Sequence, residues 1–177
     1  MQEVEVKILN IDRNEVEEKL RSLGAEKEFD GEVHALFFDF PDKLITDDSG
    51  MLRLRKVGER TQLTFKRAVS SDETKIRDER EVEISDFDTA RDILQSMGLS
   101  VWLEMRKHRT TYSLLGVHFE FDKHHDQYEF IPEFLEIEAV DPDTVYKYAQ
   151  TLGFKKDDCK PWTILDIVRN LYPDKQL

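Results

Sequence analysis

The feature that most constrains the fold of this chain is a two-residue alternation of charge. Glu3, Glu5 and Lys7 fall on one side of an extended segment, with Val4, Val6 and Ile8 on the other. A period of two is that of a β-strand, whose successive side chains point to opposite faces. The pattern recurs along the chain. Arg53 and Arg55 oppose Leu52 and Leu54 within residues 51–57, and Thr64 and Lys66 share a face within 61–67. Glu79, Glu81 and Glu83 oppose Arg80, Val82 and Ile84 within 75–84. Glu120 and Asp122 share a face within 117–123, and Glu136 and Glu138 oppose Leu135 and Ile137 within 134–140. Residues 25–40 and 101–115 read as two longer strands. Gly58-Glu59 and Gly116 are hairpin turns, and Asp47-Asp48-Ser49-Gly50 is a further turn.

Helices interrupt the strands. Residues 12–24 carry Asp12 as N-cap, Glu15 three residues on, an apolar stripe of Val16, Leu20 and Leu23, and a stop at Gly24. Residues 86–98 present Phe87, Ala90, Ile93, Leu94 and Met97 as one stripe. Residues 141–152 and 162–171 also read as helical. The expectation is an α+β fold, with about eight antiparallel strands, in a single domain over residues 1–177.

Charged residues make up 36% of the chain, above the usual quarter. They need a solvated surface or a wet interior. The net charge of −12 argues against nucleic acid and against an anionic membrane surface, since both are bound through excess positive charge. It does not exclude a small polyanion, because local charge decides that. Cys159 is the single cysteine, so no intrachain disulfide forms, which fits a reducing compartment. The first residues show neither a basic nor an apolar leader segment, and no apolar run reaches the roughly 20 residues of a membrane helix. The cytoplasm is the expected location.

Two glutamates two apart on a strand lie about 7 Å apart on one face and repel each other. For any one strand the plain explanation is a solvated face. The bases shift the balance: Lys7, Arg53, Arg55, Lys66, Lys107 and Arg109 recur at same-face positions on several strands. A closed barrel with these faces turned inward would line one lumen with them. Arginine forks and lysine point charges suit phosphate oxygens, and opposed carboxylate pairs suit a hexacoordinate Mg²⁺ or Mn²⁺. Asp122 is either a further metal ligand or the partner of a lumen base, and Glu81 either a ligand or the partner of Lys66 or Arg109. Arg77 and Arg106 read as surface residues, and His124-His125 as a solvated loop. No zinc spacing links the histidines, no glycine-rich phosphate loop is present, and nothing activates Cys159.

With these residues in place, the chain resembles the CYTH superfamily, the triphosphate tunnel metalloenzymes. The resemblance rests on Glu3-Val4-Glu5-Val6-Lys7, Leu52-Arg53-Leu54-Arg55, Leu63-Thr64-Phe65-Lys66, Arg80-Glu81-Val82-Glu83, Lys107-His108-Arg109-Thr110-Thr111-Tyr112, Phe121-Asp122 and Leu135-Glu136-Ile137-Glu138, in this order. It implies an eight-stranded closed antiparallel barrel, a tunnel with flanking helices. It also implies Mg²⁺- or Mn²⁺-dependent chemistry on a triphosphate, since the family includes class IV adenylate cyclases, thiamine triphosphatases and inorganic tripolyphosphatases. By matching position, Glu3, Glu5, Glu136 and Glu138 are implied metal ligands, with Asp122 or Glu81 joining them. Lys7, Arg53, Arg55, Lys66, Lys107 and Arg109 are the implied triphosphate cradle, and Lys160 a basic residue brought to it from before the last helix. Glu5, Lys66 and Arg109 stand closest to the chemistry.

Two departures bear on the reaction. Residues 129–134 replace a glycine-rich stretch frequent in cyclase-type members, and Lys160-Pro161-Trp162 replaces a Lys-Ser-Tyr-like motif. The expected activity is hydrolysis of the terminal phosphate of tripolyphosphate, thiamine triphosphate or a nucleotide such as ATP. The alternatives are cyclisation of ATP to cyclic AMP, which the Lys107-x-Arg109-x-x-Tyr112 stretch suits equally, and a polyphosphate-binding module without turnover. A homodimer through an outer helix is compatible with this fold.

Overall fold

The computed structural model describes residues 4–68 and 77–175. Glu3 and the expected start of the fifth strand at Lys75 lie outside the described residues. In chain order the elements are β1 (Val4–Ile8), α1 (Arg13–Ser22), β2 (Glu26–Asp39), α2 (Leu44–Asp47), β3 (Gly50–Val57), β4 (Arg60–Ala68), β5 (Arg77–Ile84), α3 (Phe87–Ser96), β6 (Ser100–Leu114), β7 (Val117–His124), β8 (Phe134–Ala139), α4 (Pro142–Thr151), β9 (Cys159–Lys160) and α5 (Ile164–Leu171). The strands form one antiparallel sheet in the order β5-β4-β3-β2-β6-β7-β8-β1-β9.

This corrects the expected eight-stranded closed barrel in two respects. A ninth strand, Cys159–Lys160, pairs with Lys7 and Ile8. No ladder among the described residues joins β5 to β9, so these strands are the two edges of the sheet. Alternation cannot reveal a two-residue strand, because two residues contain no period.

The helices start where side chains supply a cap. Asp12, Asp86 and Asp141 each accept a hydrogen bond from a backbone N–H three residues on, at 3.1, 2.7 and 2.8 Å. Gly24 and Gly98 follow α1 and α3 at φ +84° and +93°, a left-handed conformation that glycine adopts without strain. The expected turn stands at Asp48-Ser49, and the short α2, which the sequence pattern does not predict, leads directly into it. The Asp39 carboxylate creates this helix by accepting from the N–H groups of Phe40, Ile45 and Thr46 and from the Thr46 hydroxyl.

Three apolar clusters attach the helices. Val16 and Leu20 of α1 and Val145 and Ala149 of α4 pack on Val6, Ile8, Phe119, Leu135 and Ile137. Each fully buried aliphatic side chain there contributes about 1.5–3 kcal/mol. Ala90 and Leu94 of α3 cover Leu36, Phe38 and Leu54. Ile93 and Met97, assigned by periodicity to the same stripe, are 55% and 66% exposed at the solvent edge of α3. The third cluster lies on the other side of the sheet. Ile167 and Val168 of α5 pack on Leu103, Met105 and Phe134, with Phe37 beside them. These residues share a face with Lys107 and Glu136 by alternation, so α5 covers one part of the charged face.

Candidate functional site

Residues directly opposite in an antiparallel pair share a face. The registers therefore place the charges together: Lys7 opposite Glu136, Glu5 opposite Glu138, Glu120 opposite Glu136, Arg109 opposite Asp122, Lys107 opposite His124, Arg53 opposite Thr64, and Lys66 opposite Glu79. Between β3 and β6, β2 presents Ala35 and Phe37 to this face.

At the β1–β8 end, Glu5, Glu136 and Glu138 each turn an oxygen to one point, all within 4.8 Å of one another. Three hard oxygen donors from adjacent strands fit a Mg²⁺ or Mn²⁺ ion that takes its remaining ligands from a bound polyanion. Lys7 stands beside them, its Nζ 3.0 Å from Glu136 and 3.4 Å from Glu5. Burial opposes its charge, but Glu136 and Glu5 outweigh burial and hold its pKa above the ordinary lysine value. Burial, helped by Glu136 and Asp122, pushes the Glu120 carboxyl up despite its ion pair with Arg109.

Asp122 is fully buried and organises the next group. It accepts from Lys107 Nζ at 2.5 Å and from Arg109 Nε and Nη2 at 2.6 Å each, a two-pronged arrangement. Burial would raise its pKa; Arg109 and Lys107 more than cancel that and hold it below the usual carboxylate range. Arg109 also lies 3.9 Å from Glu136, which links this group to the acidic cluster.

On the far side, Glu81 accepts from Arg55 at 3.2 Å, Gln62 at 2.6 Å and Thr64 at 2.9 Å, and Lys66 pairs with Glu79. Arg53 differs. Its Nε is shielded from solvent without a hydrogen-bond partner, its nearest hydroxyl contact is Thr64 at 3.5 Å, and no described carboxylate lies within ion-pair distance. Burial, with the neighbouring Arg55 and Arg109, lowers its pKa to about 10.

The structure thus gathers Glu5, Glu136 and Glu138 at one point and sets Lys7, Arg53, Arg55, Lys66, Lys107 and Arg109 around the same face. Asp122 and Glu81 are engaged by bases, Asp122 by Lys107 and Arg109 and Glu81 by Arg55. Lys160 lies next to Lys7 in the sheet, but its Nζ donates to the Asp157 carbonyl at 2.7 Å and sits 5.6 Å from the Trp162 ring. Tyr112 is buried on the opposite face against Phe121.

His124 corrects the sequence reading of a solvated loop. It is the last residue of β7, 1% exposed, and stacks on Phe134 at 5.7 Å. Burial and the nearby Lys107 lower its pKa to about 3, so the ring is neutral. Continuing the alternation two residues past Asp122 would have placed it on this face. Glu79, to which alternation alone gives no role, joins the face only through the β4–β5 register, which sets it opposite Lys66.

Comparison with known proteins agrees with this geometry. The profile of the CYTH domain matches residues 1–160. No curated protein matches the chain. A conserved hypothetical protein from Pyrococcus furiosus is 26% identical, with a TM-score of 0.74 over 92% of this chain and 98% of its own. A protein of Vibrio parahaemolyticus described as a candidate adenylate cyclase is 18% identical, with a TM-score of 0.80 over 96% of this chain and 98% of its own. The Hippeastrum protein HpAC1, described as having a dominant triphosphatase activity, is 15% identical, with a TM-score of 0.63 over 100% of this chain and 98% of its own. No helix among the described residues is long and apolar enough to cross a membrane.

Proposed function

Because the chain belongs to the CYTH family, we propose that it is a divalent-metal-dependent hydrolase that removes the terminal phosphate of a triphosphate bound along the charged face. The observation that carries this reading is the division of that face: one point where three carboxylates converge, and an adjoining bank of bases that includes Arg53, which has no ion-pair partner among the described residues. A pure anion binder gains nothing from carboxylates facing its ligand, whereas metal-assisted phosphoryl transfer requires them.

Glu5, Glu136 and Glu138 would hold Mg²⁺ or Mn²⁺, which supplies charge neutralisation to the phosphate oxygens when bound. Arg53 takes phosphate oxygens first, since it gives up no existing ion pair. Lys66 and Arg55 exchange Glu79 and Glu81 for phosphate. Lys107 and Arg109 keep the geometry that Asp122 imposes, and Lys66 and Arg109 stabilise the negative charge spread over the transferred phosphoryl group. A water oxygen forms the new bond to the terminal phosphorus as the bridging P–O bond breaks. The bridging oxygen leaves with the electron pair as diphosphate or its derivative, and Glu5 accepts the water proton.

Hydrolysis is favoured over cyclisation by two placements. Tyr112, part of the stretch that suited a cyclase, faces the core. Leu103, Met105 and Phe134, apolar residues of the charged face, are covered by α5 and so are closed to a base. Incubation with tripolyphosphate, thiamine triphosphate or ATP in the presence of Mg²⁺ or Mn²⁺, with products identified by mass, tests the reading. Orthophosphate is expected; cyclic AMP as the main product from ATP would sink the hydrolase assignment. Arg53→Gln is expected to weaken tripolyphosphate binding by about tenfold or more, the scale of a lost charge-assisted contact. Its melting temperature should stay level or rise, because no protein ion pair is lost.

A further inference from the structure

The outer face of β2 and β6 carries a second ionic network, separate from the charged face. His108 lies between Lys107 and Arg109 in β6 and therefore points the other way, opposite Glu32 of β2 and Lys123 of β7. Its Nδ1 is 3.0 Å from Glu32 Oε1 and its Nε2 is 2.8 Å from Asp30 Oδ1. A neutral imidazole has one N–H and one lone pair. In that form one of the two contacts would set a lone pair against a carboxylate. Only the imidazolium, with an N–H on each side, satisfies both.

The surrounding charges belong to the same system. From β2, Lys27 donates to Asp30 at 2.7 Å, and the Thr110 hydroxyl of β6 adds a bond at 3.1 Å. Beyond the end of β7, His125 Nε2 lies 3.3 Å from the second oxygen of Glu32. Arg106 and His34 share Glu104 at 3.0 and 2.8 Å, and Arg106 also faces Asp126 at 4.0 Å. Lys123 of β7 donates to the Glu129 carbonyl at 3.5 Å. The hydrogen bonds to Glu32 and Asp30 hold the His108 pKa above its ordinary value. Those from Lys27 and His108 hold Asp30 below its own.

The position of this network in the sheet gives it a consequence. The β2–β6 ladder shifts register between Lys27 and Phe29, immediately before Asp30. A slip of one residue turns the side chains of one strand over relative to its neighbour, and the pairs at stake here are those of Lys107 with Val33 and of Arg109 with Gly31. We propose that His108 is a proton-operated positioning residue: as imidazolium it clasps Asp30 and Glu32 and so fixes the register of the strand that presents Lys107 and Arg109. The effect on anion binding rests on reading those two residues as part of a triphosphate cradle; the clasp itself does not.

The sign of the pH dependence follows. A histidine held above its ordinary pKa of about 6.5 gives its full stabilisation below that pH and loses it as pH rises through the higher folded value. His108 is 38% exposed and Glu32 67%, so solvent screens the clasp and its effect is modest. The test follows the His108 ring nitrogens of the wild-type protein by NMR, with His108→Gln providing the assignment. Urea unfolding and tripolyphosphate binding are then compared for both proteins at pH 6.0 and 8.5. Both nitrogens should be protonated at pH 6.0. The unfolding constant of His108→Gln should exceed that of the wild type about threefold to fivefold at pH 6.0, a screened ion pair's worth, and approach it at pH 8.5. The ratio of tripolyphosphate dissociation constants should follow the same course. A ring that titrates at or below the ordinary histidine value, or an unfolding ratio that does not change with pH, would overturn the clasp. A pH-dependent unfolding ratio with no tripolyphosphate binding in either protein would uphold the clasp and remove the cradle.

Discussion

Asp122→Ala is expected to lower the stability of the protein by about 3–5 kcal/mol, the range found when one member of a buried ion pair is removed. Asp122 is fully buried, and three donor groups of Lys107 and Arg109 converge on its two oxygens. Deleting it leaves two cations in the sheet interior with Glu120 and Glu136 as their remaining acidic neighbours. The urea midpoint reports the loss, and a midpoint within error of the wild type would contradict it. The pH dependence follows from the low pKa. The contribution of Asp122 is complete above the ordinary aspartate value of about 3.9, and it is lost only as pH falls through the lower folded value. Asp122→Asn should behave like the alanine variant in direction, since the amide keeps the shape but supplies no charge.

Glu138→Gln is expected to reduce metal-dependent turnover of tripolyphosphate by about 100-fold or more, the scale on which charged groups at a phosphoryl-transfer site act. The fold should be retained. Glu5, Glu136 and Glu138 crowd like charge on one point, so neutralising one relieves part of that repulsion. Added Mn²⁺ should raise the melting temperature of the wild type and leave that of Glu138→Gln nearly unchanged, because an ion that binds only the folded state stabilises it by mass action. Wild-type turnover in Glu138→Gln would remove the carboxylates from the chemistry.

The charged face was legible in the sequence because a strand has a period of two and each strand keeps that period across its charged residues. Glu5, Lys7, Arg53, Arg55, Lys66, Lys107, Arg109, Asp122, Glu136 and Glu138 could be placed on common faces from spacing alone. The registers that set Lys7 against Glu136 and Arg109 against Asp122 could not, because spacing within a strand carries no information about its partner. The same limit hid the partners of Glu81 and Asp122. It also hid the apolar part of the face. Leu103 and Met105 precede Lys107 at the same parity, and Phe134 precedes Glu136, but only the docking of α5 on them explains why a charged face turns apolar there. His124 was misread because two histidines before an aspartate look like a loop, whereas the ladder with Lys107 extends β7 to that residue. The clasp on His108 was invisible for a related reason: its two acids lie on β2, 76 and 78 residues away in the chain.

On this reading the three carboxylates and the bank of bases form one site for a metal–triphosphate complex. Calorimetric titration of tripolyphosphate into the protein, with and without Mn²⁺, tests it most directly. Binding should saturate, tighten at least tenfold with Mn²⁺ and lose that gain in Glu138→Gln. Binding of equal strength with and without Mn²⁺, unaffected by Glu138→Gln, would contradict it.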